Sequence, residues 1–115
     1  MITKEDILKH VENLREILDE KDADDIKIID MEKTALMVDF FIIVTGNSDT
    51  HMAALRDYVI QYLKEQDLPI SNYDKGKGYD WMTIDAGSIL VHIFSEEGRE
   101  FYDLEGLWAE AERIQ

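Results

Sequence analysis

The chain has 115 residues, 45% of them hydrophobic, which suits a single domain (1–115) that buries about two-thirds of its unfolded surface in one core. Twenty-six acidic residues against twelve basic ones give a formal net charge of -14. That charge disfavours nonspecific contact with DNA, RNA or an anionic membrane; it fits a basic protein partner, or equally solubility in a salty or alkaline habitat.

No cysteine is present, which excludes disulfides, thiolate metal sites and a cysteine nucleophile. The N-terminus is charged from Lys4 onward and carries no apolar run of signal-peptide type. The longest uninterrupted apolar run, Phe40 to Val44, is too short to span a bilayer, so a soluble cytoplasmic protein is expected.

Thr3 is a natural helix N-cap, with Asp6 three residues on as a short capping box. Ile7, Leu8, Val11, Leu14, Ile17 and Leu18 then recur at helical spacing and predict an amphipathic helix of about four to five turns. The acidic cluster Asp19 to Asp25 reads as a solvated loop. A first strand is predicted over Ile26 to Met31, followed by a turn or short helical segment over 32–38. Phe40 to Val44 is apolar on both alternating faces, as a central strand covered on both sides should be.

That strand runs into Thr45-Gly46-Asn47-Ser48-Asp49, where Asn47 or Ser48 can cap a helix from Asp49 to Gln66 that buries Leu55, Val59, Tyr62 and Leu63. Pro69 closes the next loop, and Ile70 to Tyr73 predicts a short edge strand. Asp74 to Tyr79, with Gly76 and Gly78, is the most flexible-looking stretch. A hairpin follows, turning at Asp85-Ala86-Gly87-Ser88. A final helix is predicted to bury Phe101, Leu104 and Trp108 at i, i+3 and i+7.

Chemistry is hard to place on this pattern. The Gly46-Asn47-Ser48 helix start could bind an anion through its backbone N–H groups, but Asp49 repels one, and capping alone explains the sequence. A nucleotidyltransferase would need two carboxylates two residues apart on the next strand to hold Mg²⁺. Here Asp80 and Asp85 stand five apart, on opposite faces and at opposite ends. His10, His51 and His92 have no second ligand at metal spacing, and His92 reads as a hydrogen-bonded, partly buried strand residue. No catalytic, cofactor or metal site is expected. Trp81 and Tyr102 remain open between core packing and docking, since Trp and Tyr dominate interface hot spots and both lie among carboxylates.

Three spaced motifs carry a resemblance. Asp39-Phe40-Phe41-Ile42-Ile43-Val44-Thr45-Gly46-Asn47-Ser48 is the first. Asp80-Trp81 with Asp85-x-Gly87-x-Ile89-x-Val91-His92-x-Phe94 is the second. The third is Glu96-Glu97-x-Arg99-x-Phe101-Tyr102-Asp103-Leu104-Glu105-x-Leu107-Trp108. Together they resemble the ribosomal silencing factors, the Iojap-like family, from about residue 5 to 110. One departure is visible: where the family often has a Glu-Gly pair before the tryptophan, this chain has Asp74-Lys75-Gly76.

The resemblance implies an α/β domain with a mixed sheet of about five strands, nucleotidyltransferase-like but without catalytic carboxylates. It implies a translation repressor that binds the large ribosomal subunit through ribosomal protein L-fourteen and blocks joining of the small subunit when nutrients are short. On that reading Asp80, Trp81, Glu97, Arg99, Tyr102, Asp103 and Glu105 form the partner-binding face. Trp81 and Tyr102 are its anchors, Glu97, Asp103 and Glu105 pair with basic residues, and Arg99 orients neighbouring carboxylates. No cofactor, DNA or membrane is implied, and a homodimer through the same aromatics is compatible. The alternative is a nucleotide-binding or residual nucleotidyltransferase-like protein.

Overall fold

The capping box at the start of the chain is in place. Thr3 Oγ1 accepts from the Asp6 amide at 3.2 Å, and the Asp6 carboxylate accepts from the Thr3 amide at 3.1 Å. In the computed structural model, which describes residues 2–34, 36–108 and 112–113, this box opens helix α1 (Lys4–Glu20). Its apolar stripe buries Ile7, Val11, Leu14 and Leu18. The acidic cluster after it is solvated as expected, but only its middle is loop. Asp19 and Glu20 finish the helix, the chain turns through Lys21 to Ala23 with Asp22 at φ 64°, and Asp24 already begins strand β1 (Asp24–Asp30). Ala23 is buried and its amide donates to the Leu18 carbonyl, which pulls the turn tight.

Strand β2 (Phe40–Thr45) is buried along its whole length, as its sequence demands. The connection before it consists of turns and bends, Ala35 lying outside the described residues. Helix α2 (Asp49–Glu65) is capped by Ser48, whose side chain accepts from the His51 amide. Strand β3 is only Asn72–Tyr73, shorter than expected, and it pairs with β4 (Trp81–Asp85), which turns at Gly87 into β5 (Ile89–Phe94).

The loop before β4 is tied down, contrary to its flexible-looking sequence. Arg56 on α2 donates to the Asp74 and Gly76 carbonyls at 3.3 and 2.5 Å, and the Asp74 carboxylate accepts from the Thr83 amide at 2.8 Å. The glycine-rich composition had suggested freedom, and the long reach of one arginine removes it.

The strands form a mixed sheet in the order β3-β4-β5-β2-β1-β6, where β6 is the two-residue pairing of Glu112–Arg113 on β1. Only β2 and β5 run parallel; the crossover between them carries α2 and the β3-β4 hairpin arm. This is the expected mixed sheet of about five strands, with β6 added at one edge.

Alternation splits the sheet into two apolar layers. Phe40, Ile42 and Val44, with Met82, Ile84, Ile89, Val91 and Ile93, pack under α1 and α2. Phe41, Ile43 and Phe94 face the other side with Ile29, Met31 and Leu104, joined at the margin by Trp81, Leu90 and Trp108. The second layer is the smaller one, and the candidate site lies at its margin.

Ile42, fully buried in the larger layer, sets a stability test. Ile42→Ala is expected to lower the unfolding free energy by about 2 to 5 kcal/mol, read from urea denaturation followed by far-UV circular dichroism.

Candidate docking site

The C-terminal segment is two short helices, not one. Helix α3 (Glu96–Tyr102) stops at Asp103, which takes the left-handed conformation at φ 44° and ψ 51°. Asp103 then caps helix α4 (Leu104–Leu107), its carboxylate accepting from the Gly106 amide at 3.2 Å. The break separates residues that a single helix would align. Leu104 turns into the core and Trp108 lies against Phe41 at 6.2 Å between ring centroids, but Phe101 is 80% exposed. The expectation that Phe101 is core is therefore corrected.

Helix α3 sits on the loop that leads into β4. Ser95 Oγ donates to the Asp80 carboxylate at 2.9 Å and the Ser95 amide to the Asp80 carbonyl at 3.0 Å. Gly98 makes the close approach feasible, since a Cβ there would collide with the Asp80 carbonyl oxygen. This contact draws together residues from two motifs that are far apart in sequence. Asp80, Glu97, Glu100, Phe101 and Tyr102 line a shallow cleft of about 490 Å³. Its described lining contains carboxylates and aromatic rings and no basic side chain.

Behind the cleft the rings form a continuous cluster. Trp81 lies 25° from parallel to Phe94 at 5.1 Å, and Tyr102 packs on Trp81 at 4.9 Å. Phe101 stands edge-on to Tyr102 at 5.0 Å. Trp81 is half-buried, whereas Tyr102 is 47% exposed. So Trp81 and Tyr102 are adjacent, with Tyr102 the outer ring.

The other residues expected at this face divide. Glu97 and Asp103 are exposed. Arg99 points inward, its side chain only 10% exposed. It donates to Glu105 Oε1 at 2.7 Å and to Thr45 Oγ1 at 2.9 Å, and lies 3.4 Å from the Asp25 carboxylate. Arg99 and Glu105 therefore hold α3 and α4 to the sheet. Phe101 and Glu100 join the face although the sequence reading left them out. The signal available was Asp103 followed by Gly106, since aspartate tolerates the left-handed region and caps helices.

His92 is buried under this cluster, 3% exposed. In an antiparallel pair a long side chain reaches its diagonal neighbour, and Trp81, opposite Phe94, reaches His92 in that way. The indole N–H donates to His92 Nδ1 at 3.0 Å. Burial pushes the imidazole pKa down to about 3, so the ring is neutral.

Two amides at the helix start after Gly46 are taken up within the chain, and Asp49 opens the helix with a negative charge. The Asn47 amide donates to His51 Nδ1, and the His51 amide to Ser48. The other His51 ring nitrogen is bonded to the Lys21 carbonyl. Gly46 is explained by packing: a Cβ there would meet Met52 Cγ at 2.6 Å. His10 is bonded to Tyr62. Among the described residues no group of three or more acidic or histidine side chains could hold a metal ion. No helix among them is long and apolar enough to cross a membrane.

The family model described as ribosomal silencing factor during starvation matches residues 4–115. The chain belongs to the ribosomal silencing factor family. It is 35% identical over 96 residues to a ribosomal silencing factor of Bacillus subtilis, covering 81% of this chain and 79% of that one. It is 32% identical over 101 residues to the mouse protein named mitochondrial assembly of ribosomal large subunit protein 1, covering 85% of this chain but 44% of that longer one. A crystal structure of a Chromobacterium violaceum protein, 29% identical, superposes with a TM-score of 0.84 over 90% of this chain and 86% of that one. The family is one of ribosome-associated regulators of translation, and Iojap proteins of plants are among the relatives.

Two tests follow from the site geometry. With a folded pKa of about 3 against 6.5 when unfolded, His92 binds its proton only on unfolding across the range between. Its contribution is thus complete above the unfolded value and is lost as pH falls toward the folded one. Lowering the pH from 7 to 5 should cost the parent about 2 kcal/mol more than His92→Phe, read from urea midpoints at both pH values. Arg99→Ala should leave β5 amides protected while hydrogen exchange across α3 and α4 speeds up by about tenfold or more.

Proposed function

We propose that the chain represses translation by docking the α3 face on the large ribosomal subunit, on ribosomal protein L-fourteen, and so obstructing the small subunit. The block is steric; no bond is made or broken. It would lower translation in the cytoplasm when nutrients are limiting. The observation that carries the reading is the cleft at α3, where Asp80, Glu97 and Glu100 surround the exposed rings of Phe101 and Tyr102. Such a surface suits lysine and arginine side chains, which gain ion pairs at the carboxylates and lie over the aromatic faces. Family membership supports a ribosomal setting for such a basic partner.

Charge helps to select the partner. Ribosomal RNA repels a domain of net charge -14, while a basic protein exposed within that RNA attracts it. In the docked complex Trp81 and Tyr102 serve as apolar anchors, with Phe101 beside them, and Glu97, Asp103 and Asp80 meet cations. Arg99 and Glu105 act from behind. Self-association through the same rings would compete with docking and be relieved by dilution.

Sedimentation of the purified protein with isolated large subunits and with intact ribosomes tests the proposal. Binding to the free subunit and loss of binding to the intact ribosome are expected; equal binding to both, or to neither, overturns it. Glu97→Lys, Tyr102→Ala and Phe101→Ala should each weaken large-subunit binding by about tenfold or more, about 1.4 kcal/mol. Glu20→Lys, on the far end of α1, changes net charge as Glu97→Lys does and should alter binding by less than about twofold. Equal effects at Glu20 and Glu97 would mean that overall charge, not this face, is responsible.

A further inference from the structure

His92 is an unusual residue for its position. It lies on β5 in the apolar layer, with Phe41 edge-on at 4.5 Å and Phe94 on the same strand face. A phenylalanine or leucine would fill such a place without a polar atom. The imidazole instead leaves Nε2 with no hydrogen-bond partner among the described residues. A buried N–H without a partner is destabilising, so the ring must return something that an apolar side chain cannot.

What it offers is an acceptor. An indole N–H only donates, so the 3.0 Å contact requires Nδ1 of His92 to be unprotonated and to accept. The proton of the neutral ring is thereby placed on Nε2, the atom left without a partner. A tryptophan ring lies in one of two broad orientations about its second side-chain torsion, related by a flip. Stacking on Phe94 fixes the plane of the ring but distinguishes poorly between those two. A hydrogen bond at one edge does distinguish them.

We propose that His92 is a positioning residue for docking: its Nδ1 selects one of the two flip orientations of the Trp81 indole, and so fixes the aromatic surface that Tyr102 packs on and a partner meets. The inference rests on the docking role proposed above. His92 itself touches no partner, because it is buried beneath Trp81. Its neutral state persists through the physiological pH range, so the orientation does not switch with pH.

Two substitutions separate the acceptor from the space it fills. His92→Phe keeps a flat ring and removes the acceptor. His92→Asn keeps an acceptor close to the place of Nδ1 and removes the ring. The indole N–H resonance of Trp81 is read by two-dimensional NMR, distinguished from that of Trp108 by its loss in Trp81→Phe. Affinity for isolated large ribosomal subunits is read by sedimentation, and folding by far-UV circular dichroism.

In His92→Phe the Trp81 indole resonance should move upfield and its hydrogen exchange should quicken, with affinity about tenfold lower. In His92→Asn the resonance and most of the affinity should be retained. Three results overturn the inference: an unmoved indole resonance in His92→Phe, parental affinity despite a moved resonance, or equal losses in both variants. If His92→Phe does not fold, the asparagine variant decides alone, since loss of its indole hydrogen bond with parental affinity refutes the positioning role. If the parent itself does not bind large subunits, the docking reading fails separately, and the indole resonance still decides whether His92 orients Trp81.

Discussion

One arginine holds helices α3 and α4 to the sheet. Helices α3 and α4 have seven and four residues, too short to be stable alone, and they bury few side chains of their own. Arg99 anchors them by reaching three elements at once, through Thr45 on β2, Asp25 on β1 and Glu105 on α4. Its planar guanidinium presents donors in several directions, so one side chain can meet acceptors that no lysine could bridge together. Removed from water and bonded to a partly buried carboxylate, it also pulls the acidic start of β1 toward α3. The carboxylates around the outer cleft have no basic side chain in its described lining, because Arg99 is turned inward to Glu105 and Asp25.

That division of labour bears on the negative charge of the whole chain. A net charge of -14 spread evenly would repel every face of the domain equally from RNA and would mark none of them. Here the nearby cation is turned inward, and Asp80, Glu97 and Glu100 stand around exposed rings without one. The face is distinguished by what its carboxylates lie next to, not by their number.

Much of the fold was legible because alternation and helical spacing report directly on burial. Phe40 to Val44 read as covered on both sides and is; the odd and even residues of β5 divide between the two layers. What the pattern could not reveal is a change of backbone hand at a single residue. Phe101, Leu104 and Trp108 have helical spacing, and that spacing describes the chain only if the helix continues through Asp103. It does not, and Phe101 moves from expected core to open surface. The acidic segment after α1 was legible in part: its charged side chains are exposed as expected, while Ala23 is buried and ties the backbone back to Leu18, so that helix and strand take up most of the segment. The adjacency of Trp81 and Tyr102 was also out of reach of local pattern, because it depends on Gly98 letting α3 settle against the Asp80 carbonyl.

The stack of Trp81 on Phe94, with Tyr102 laid over it and His92 at its edge, has a consequence for the entropy of association. Freezing a rotamer-rich side chain at an interface costs about 0.5 to 1.5 kcal/mol when it happens during binding. Trp81 is already confined on three sides before any partner arrives, and Tyr102 already rests on it. The loss of freedom has been absorbed by folding, at a point where the burial of the second apolar layer offsets it. On the docking role proposed above, a partner would meet a surface ordered in advance, and the attraction gained there would be left to slow its departure.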